Sequence, residues 1–266
     1  MKAIKALVLS GYGLNCEEET AFSFQLAGTQ ADIVHINDLI DGQKSLNKYQ
    51  ILAFPGGFSY GDNTGSGQAF ANRIINNLWD KLRSFIEKDR LVIGICNGFQ
   101  IVVNLGLLPA LNNEYGKRQV ALTHNKTARY IVRWVDLEVK NGSPWLKGIK
   151  SISLPIAHGE GKFFAPAEVL NQLDQKSLIS LKYVKGKMCQ YQNLEPNPNG
   201  SLEDIAGITD ESGRILGLMP HPERAIFFHH LPNWSLLKEE HKRANKRIPQ
   251  HGPGLEIFKN AVRYFK

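Results

Sequence analysis

The chain has 266 residues, a formal net charge of +7 and 42% hydrophobic residues, which is enough to bury one sizeable core. Its three cysteines, Cys16, Cys96 and Cys189, show no paired spacing, which excludes a disulfide framework and favours a reducing cytoplasm. The apolar run at the N-terminus is too short for a secretory signal and no segment approaches a membrane span. We therefore expect a cytoplasmic protein without a membrane partner.

Strands and helices alternate along the first hundred residues. Apolar runs predict strands at 4–9, 33–36, 51–54 and 92–95, and helical periodicity predicts helices at 17–27, 68–79 and from there to about 88. Asn15 and Glu18, at a spacing of three, predict a capping box on the first helix. This alternation predicts an α/β fold with a mostly parallel central sheet and helices on both faces.

Residues 94–100, Gly-Ile-Cys-Asn-Gly-Phe-Gln, join the fourth predicted strand to a helical pattern. A nucleophile at a sharp strand-to-helix turn, with glycines on both sides, is the pattern of a nucleophile elbow. The glycines fit because the corner residue occupies a strained backbone conformation. The corner also places the sulfur of Cys96 at a helix N-terminus, where the macrodipole favours the thiolate. Cys96 is therefore the predicted nucleophile.

The second half is less regular but fits the same single domain, residues 1–266. Apolar runs predict strands at 130–139, 152–157, 178–183, 205–209 and 215–219, and helical patterns cover 165–173 and 255–264. A hairpin turn is predicted at 210–213. Residues 226–253 are predicted to form a surface insertion or a docking element. The basic residues at its end, 238–247, fit a solvated helix face or a surface for an acidic partner, but not nucleic acid, because no aromatic residues alternate with them.

Pro220-His221-Pro222-Glu223 follows the last predicted strand. It therefore lies at the carboxyl end of that strand, where open α/β sheets place their sites. In an extended segment residues i and i+2 point the same way, so His221 can act as the base of the cysteine and Glu223 as its orienting group. A solvated surface turn is the ordinary interpretation of such a segment. The upstream elbow favours a Cys96–His221–Glu223 triad.

Pro55-Gly56-Gly57 ends the third predicted strand. The backbone N–H of Gly57 can pair with that of Asn97, the residue after the nucleophile, to form an oxyanion hole. An ordinary turn is the alternative. The Gly-Gly segment lies one strand before the elbow, and this position favours the oxyanion hole.

Three of these segments, 55–57, 94–100 and 221–223, together resemble the class I, triad-type glutamine amidotransferases. Further segments resemble the glutaminase subunits of phosphoribosylformylglycinamidine synthases, which act in purine biosynthesis: 15–17, 58–62, 129–134, 155–163 and 217–224. The resemblance spans roughly residues 5–224. It implies the flavodoxin-like architecture of that class with added β elements.

The resemblance also implies a reaction. Cys96 would attack the side-chain amide of L-glutamine, His221 would relay protons, and a thioester would be hydrolysed to glutamate. Gln100 and Gly56 would contact the substrate, with helix packing as the alternative for Gln100. Ammonia would pass to a synthetase subunit, assisted by a small accessory subunit. ATP and Mg²⁺ would be used there, because this chain has no P-loop sequence, and no metal or cofactor is expected on it.

Other interpretations stay open at this point. The chain can be a glutaminase subunit of another class I amidotransferase, or a non-catalytic relative with the same fold. Segments 15–17 and 158–161 do not fit another class I amidotransferase, and the intact triad argues against a non-catalytic relative.

Lys162 stands where the family often has arginine, so a bidentate anion clamp there is lost. His158 and Glu160 are expected in a structured loop near the site or a partner interface, and Cys16 as a packed residue near the site.

Overall fold

The computed structural model describes residues 4–61 and 65–266, so Asp62, the last residue of segment 58–62, lies outside the described residues. The strands are β1 (Lys5–Ser10), β2 (Gln30–His35), β3 (Ile51–Phe54), β4 (Leu91–Ile95), β5 (Ala121–Thr123), β6 (Ile131–Val139), β7 (Ser151–His158), β8 (Lys162–Phe164), β9 (Ile179–Val184), β10 (Ile205–Thr209) and β11 (Ile215–Leu218). The helices are α1 (Glu17–Leu26), α2 (Ile36–Ile40), α3 (Gln68–Ile86), α4 (Asn97–Asn104), α5 (Ala167–Gln175), α6 (Lys187–Gln192), α7 (Trp234–Arg243) and α8 (Leu255–Tyr264).

Nine strands form one sheet in the order β2-β1-β3-β4-β11-β10-β9-β6-β7. The first five are mutually parallel, so their carboxyl ends meet at one edge. Strands β10 and β6 run against the others. The predicted α/β fold with a mostly parallel sheet and added β elements is therefore confirmed. The predicted hairpin turn is also present, with the N–H of Gly213 donating to the carbonyl of Asp210 at 3.0 Å.

Right-handed crossovers place helices on both faces of the sheet. The chain moves from β1 to β2 in one direction and from β3 to β4 in the other, so the connecting helices α1 and α3 lie on opposite faces. On the α1 face, Phe24 packs edge-on against Phe258 of α8 with ring centroids 4.9 Å apart. On the other face, α3 and α4 cover the sheet.

Helix α3 is continuous, so the predicted division near Trp79 is wrong. Between residues 68 and 86 there is no glycine or proline to end a helix. Its buried residues recur at spacings of three and four, which gives one uninterrupted apolar face: Phe70, Ile74, Leu78, Leu82 and Phe85. Ile74, Leu78 and Leu82 of that face line a small cavity together with Leu9, Leu52 and Phe54 of the sheet.

The predicted capping box on α1 is also wrong. The residue that caps the helix is Cys16, and no side chain accepts from the first turn. The Oδ1 of Asn15 instead accepts from the Cys16 thiol at 3.5 Å. The acidic first turn, Glu17–Glu19, still suits the positive end of the helix dipole.

Residues 226–253 contain helix α7, which the sequence analysis did not place. None of its residues is buried, which fits the solvated helix face proposed for the basic residues there. The short ribbon of β5 and β8 and the helices α2 and α6 were likewise not predicted. Over the described ranges, no helix is both long enough and apolar enough to cross a bilayer.

Candidate active site

Cys96 lies at the strained corner between β4 and α4. Its backbone has φ 52° and ψ −108°, a conformation that a side-chain-bearing residue adopts only when its surroundings hold it there. A Cβ on Gly94 would lie 2.7 Å from the carbonyl oxygen of Gly98, and a Cβ on Gly98 would lie 1.8 Å from that of Phe54. Both glycines are therefore needed for the close approach of strand and helix, as the elbow predicts.

His221 and Glu223 form a buried pair beside this corner. The carboxylate oxygen Oε1 of Glu223 accepts a hydrogen bond from Nδ1 of His221 at 2.5 Å, and both side chains are buried. Leu218 is paired with Ile95 across β11 and β4, so the segment after β11 lies next to the elbow. The prediction that Glu223 belongs to an extended segment is wrong, because Pro222–Arg224 is a 3-10 turn. The turn nevertheless directs the carboxylate back to the ring.

The charges around His221 favour its imidazolium form. Burial alone lowers the pKa of His221, but the Glu223 carboxylate and the sulfurs of Cys96 and Cys16 raise it, and the net pKa lies well above 6.5. With Nδ1 bound to the carboxylate, Nε2 of the ring remains without a protein partner in the described structure. The arrangement therefore offers a charged ring nitrogen for proton transfer.

The resting thiol of Cys96 is held by the strand β7. Its Sγ donates to the carbonyl oxygen of Ala157 at 3.6 Å, a distance normal for sulfur. The N–H of His221 donates to the carbonyl of Pro155 on the same strand at 2.8 Å. Strand β7 thus fixes nucleophile and histidine from one side.

The two glycines of the predicted oxyanion loop are closely packed, Gly56 against His221 of the triad and Gly57 against the backbone of residues 13–15. A Cβ on Gly56 would lie 2.8 Å from Cε1 of His221, and one on Gly57 would lie 2.4 Å from the carbonyl oxygen of Gly13. These positions exclude any larger side chain. Asn97 is the first residue of α4, where backbone N–H groups have no acceptor within the helix. Asn97 directly follows Cys96 in the chain, and the role of both predicted donors remains a prediction.

Polar side chains tie the elbow to the loop after β7. The side chain of Asn97 accepts from the N–H of Ser59 at 3.1 Å and donates to Oε1 of Gln100 at 2.8 Å. Gln100 in turn donates to the carbonyl oxygen of Glu160 at 2.5 Å. Because both ends of the Gln100 amide are occupied, these contacts support its packing role, and its predicted contact with substrate stays a prediction.

His158 has one defined tautomer, and Asn125 sets it. The amide nitrogen of Asn125 donates to the carbonyls of Arg129 and His158, at 2.9 and 2.8 Å. Its oxygen is therefore the acceptor at 3.0 Å from Nδ1 of His158, so Nδ1 carries the proton. Burial, and then the charge of His221, lower the pKa of His158 to about 3. The ring is neutral across the physiological range.

This buried neutral histidine makes the fold sensitive to acid. The unfolded chain binds a proton near pH 6.5 and the folded chain only near pH 3, so His158 destabilises the fold progressively as pH falls between these values. At about 1.4 kcal/mol per pH unit, the free energy of unfolding falls by roughly 3 kcal/mol between pH 6.5 and about pH 4. We expect His158→Asn, which keeps a donor for Asn125, to flatten this decline. Urea unfolding across the pH range measures it, and an unchanged slope would contradict the assignment.

Aromatic side chains line the mouth of the site. Tyr130 packs against Phe58 with ring centroids 5.8 Å apart. Burial raises the pKa of the Tyr130 phenol, and the charges of Cys96 and His221 also act on it, which places the ring beside the triad. Both rings are partly exposed. Sequence analysis placed these residues in family segments but gave them no role.

Cys16 and Arg224 join the site from elements far apart in sequence. Nη2 of Arg224 donates to Sγ of Cys16 at 3.0 Å. Donor atoms of Cys16, His221 and Glu223 all lie within 4.8 Å of one another. The Arg224 guanidinium contacts the sulfur, and the His–Glu hydrogen bond joins the other two side chains. No local pattern in the sequence predicts the contact between Cys16 and Arg224, which are 208 positions apart.

Comparison with known proteins agrees with this geometry. A family model described as a CobB/CobQ-like glutamine amidotransferase domain matches residues 3–265. The phosphoribosylformylglycinamidine synthase subunit PurQ of Methanococcus maripaludis strain C7 is 50% identical over 98% of this chain and 97% of its own. The subunit of the same name from Dehalococcoides mccartyi is 43% identical over 99% of this chain and 98% of its own.

A solved structure extends the comparison to three dimensions. A chain in the PurLQS structure from Thermotoga maritima superposes with a TM-score of 0.73 at 28% identity, covering 99% of this chain and 100% of that one. The resemblance seen in the sequence is confirmed. The chain belongs to the CobB/CobQ-like glutamine amidotransferases and, within them, to the family of phosphoribosylformylglycinamidine synthase PurQ subunits.

Proposed function

We propose that this chain hydrolyses L-glutamine and delivers ammonia to a synthetase subunit that converts formylglycinamide ribonucleotide to formylglycinamidine ribonucleotide. The observation that carries the proposal is the buried His221–Glu223 pair beside a cysteine on a strained elbow. Membership in the PurQ family supports the choice of acceptor substrate. ATP and Mg²⁺ are assigned to the synthetase.

The site residues then take the following roles. The Cys96 thiolate attacks the amide carbon, and the N–H groups of Gly57 and Asn97 bind the oxyanion that forms. The imidazolium of His221 protonates the leaving nitrogen, so that ammonia departs and a γ-glutamyl thioester remains. His221 then takes a proton from water, which attacks the thioester and releases glutamate. Glu223 stabilises the imidazolium throughout and keeps its Nε2 directed at the reacting atoms.

The partner surface follows from what happens to ammonia. Ammonia released into bulk water at neutral pH becomes ammonium, which is not a nucleophile. A productive complex therefore has the synthetase covering the mouth of this site. Stacked aromatic rings stand there: Tyr12 and Tyr60 lie 4.8 Å apart at 15°, and Ser59, next to Tyr60, is bound to Asn97 of the elbow. Exposed aromatic residues of this kind are typical anchors of protein interfaces.

Tyr60→Ala should therefore weaken binding of the synthetase. We expect a loss of affinity of roughly 10- to 100-fold, the range for an interface tyrosine. Tyr264→Ala is the matched control, because the side chain of Tyr264 has the same exposed fraction as that of Tyr60, 38%. The hydroxyl of Tyr264 is hydrogen-bonded to Asp89. Asp89 precedes β4, so Tyr264 lies at the edge of the sheet opposite the site. Titration of each variant with the synthetase subunit measures the difference. Equal affinities would place the interface elsewhere.

The proposed function is tested with glutamine whose amide nitrogen is isotopically labelled. The chain is mixed with its cognate synthetase and small accessory subunit, ATP, Mg²⁺ and formylglycinamide ribonucleotide. We expect the label in the formylglycinamidine product. Omission of the accessory subunit then shows whether that subunit is required. If the synthetase forms product from free ammonia but never from labelled glutamine, the chain serves another acceptor or is not catalytic.

A further inference from the structure

We propose that Cys16 is a positioning residue for the His221–Glu223 pair, and that it acts by holding Arg224 away from the Glu223 carboxylate. The inference rests on the proposed function, because it concerns the same triad. It assigns a task to a buried thiol that takes no part in the steps of the reaction.

The position of Cys16 is set by the oxyanion loop. The N–H groups of Asn15 and Cys16 both donate to the carbonyl oxygen of Gly56, at 3.2 and 3.1 Å. A Cβ on Gly56 would lie 3.1 Å from Sγ of Cys16 and 2.8 Å from the ring of His221. Thiol and imidazole therefore pack against the same backbone atom, and the side chain of Cys16 is fully buried.

Arg224 has two acceptors within reach and is bound to only one. Its Nη2 lies 3.0 Å from the sulfur of Cys16, whereas its Nε lies 3.8 Å from Oε1 of Glu223, too far for a hydrogen bond. The other carboxylate oxygen, Oε2 of Glu223, is buried and has no partner among the described residues. A guanidinium freed from the sulfur can therefore swing onto this carboxylate.

Such a swing would disturb the triad. Arginine and carboxylate form strong two-point hydrogen bonds, and the new pair would compete with His221 for the same Oε1. The carboxylate is the largest of the contributions that raise the pKa of the buried His221, and the sulfurs of Cys96 and Cys16 add to it. Once shared with Arg224, the carboxylate would stabilise the imidazolium less. The positive guanidinium would also lie closer to the ring and disfavour its charged form. Loss of the Cys16 sulfur should therefore lower the pKa of His221.

The charged and titratable groups around His221 come from five parts of the fold. They are Glu223 and Arg224 from its own turn, Cys16 just before α1, Cys96 from the elbow, His158 from β7 and Tyr130 just before β6. His158 is neutral over the working range, and the Tyr130 phenol keeps its proton because its pKa is raised. The predicted change is thus confined to the set of Cys16, Arg224, Glu223 and Cys96.

The test is the pH dependence of Cys96 alkylation by a diazoketone analogue of glutamine, with the whole chain. We expect Cys16→Ala to slow labelling about tenfold and to move the alkaline limb of the profile to lower pH by about half a unit or more. Cys16→Ser, which restores an acceptor, should recover most of both. Cys189→Ala removes a thiol that is also buried but is hydrogen-bonded to the carbonyl oxygen of Val184. Its labelling rate and pH profile should match those of the wild type.

A double variant separates positioning from a merely structural effect. If Cys16 acts through Arg224, then Arg224→Met should remove most of the effect of Cys16→Ala, because no guanidinium remains to swing and only the direct contribution of the Cys16 sulfur to the pKa of His221 is left. An unshifted alkaline limb in Cys16→Ala, or equal effects of that change with and without Arg224, would overturn the inference. Failure of the wild type to be labelled would instead count against the proposed function. Circular dichroism of each variant confirms that the fold is retained.

Discussion

Cys96→Ala should abolish glutamine-dependent formation of formylglycinamidine ribonucleotide while leaving the ammonia-dependent reaction of the complex intact. The expected loss with glutamine is at least about 10³-fold, because no other group can form the thioester. The alanine methyl fits the corner that the cysteine Cβ already occupies, and Cys96 is buried among apolar residues. The substitution should therefore leave the fold and the partner surface unchanged.

The control for this experiment is the ammonia reaction itself. The complex is assayed with ammonium at alkaline pH as the nitrogen source, with wild type and variant side by side. Equal rates show that the variant still binds the synthetase and does not block it. If the ammonia reaction were lost together with the glutamine reaction, Cys96 would have a role beyond nucleophile, and the division of labour between the subunits would be wrong.

Gly98→Ala should destabilise the protein by about 3 kcal/mol or more. Alanine is favoured over glycine within a helix by up to about 1 kcal/mol, and Gly98 lies in α4. Its Cβ, however, would stand 1.8 Å from the carbonyl oxygen of Phe54, a backbone atom of the central strand β3. Strand and helix would have to separate, and overpacking of this kind costs more than the helix gains.

Gly142→Ala is the matched comparison for that variant. A Cβ there meets nothing within 4 Å, so we expect a change within about 0.5 kcal/mol. Urea unfolding of both variants measures the difference in the free energy of unfolding. If Gly98→Ala were as stable as Gly142→Ala, the elbow would be less tightly packed than the distance between Gly98 and the carbonyl oxygen of Phe54 indicates.

The parts of this molecule that a sequence reveals are those with a local cause. The elbow was predictable because the strand, the glycines and Cys96 are adjacent in the chain. His221 and Glu223 were predictable because the base and its orienting group lie only two positions apart in the chain. The division of α3 was a wrong prediction of the same local kind, since an apolar face at spacings of three and four continues through Trp79.

The rest of the site depends on contacts between distant segments. Asn125 fixes the tautomer of His158 across 33 positions, and Gln100 reaches Glu160 across 60. Each pairing depends on tertiary contacts that bring the edge strand β7 to the elbow and to the turn after β11, and no periodicity in either segment encodes them. The capping box failed for a related reason: Asn15 is drawn to Gly56 and to the Cys16 thiol by the tertiary structure rather than to the helix that follows it.

The burial of all three cysteines has a practical consequence for optical work on the complex. Cys16, Cys96 and Cys189 have exposed fractions of 1%, 5% and 3%, so bulky maleimide dyes should modify them far more slowly in the folded protein than a thiol on its surface. A single cysteine placed on the exposed face of α7 could then carry one fluorophore without removal of any native thiol. Assembly with the synthetase could be followed by energy transfer on a fully active protein, nucleophile included.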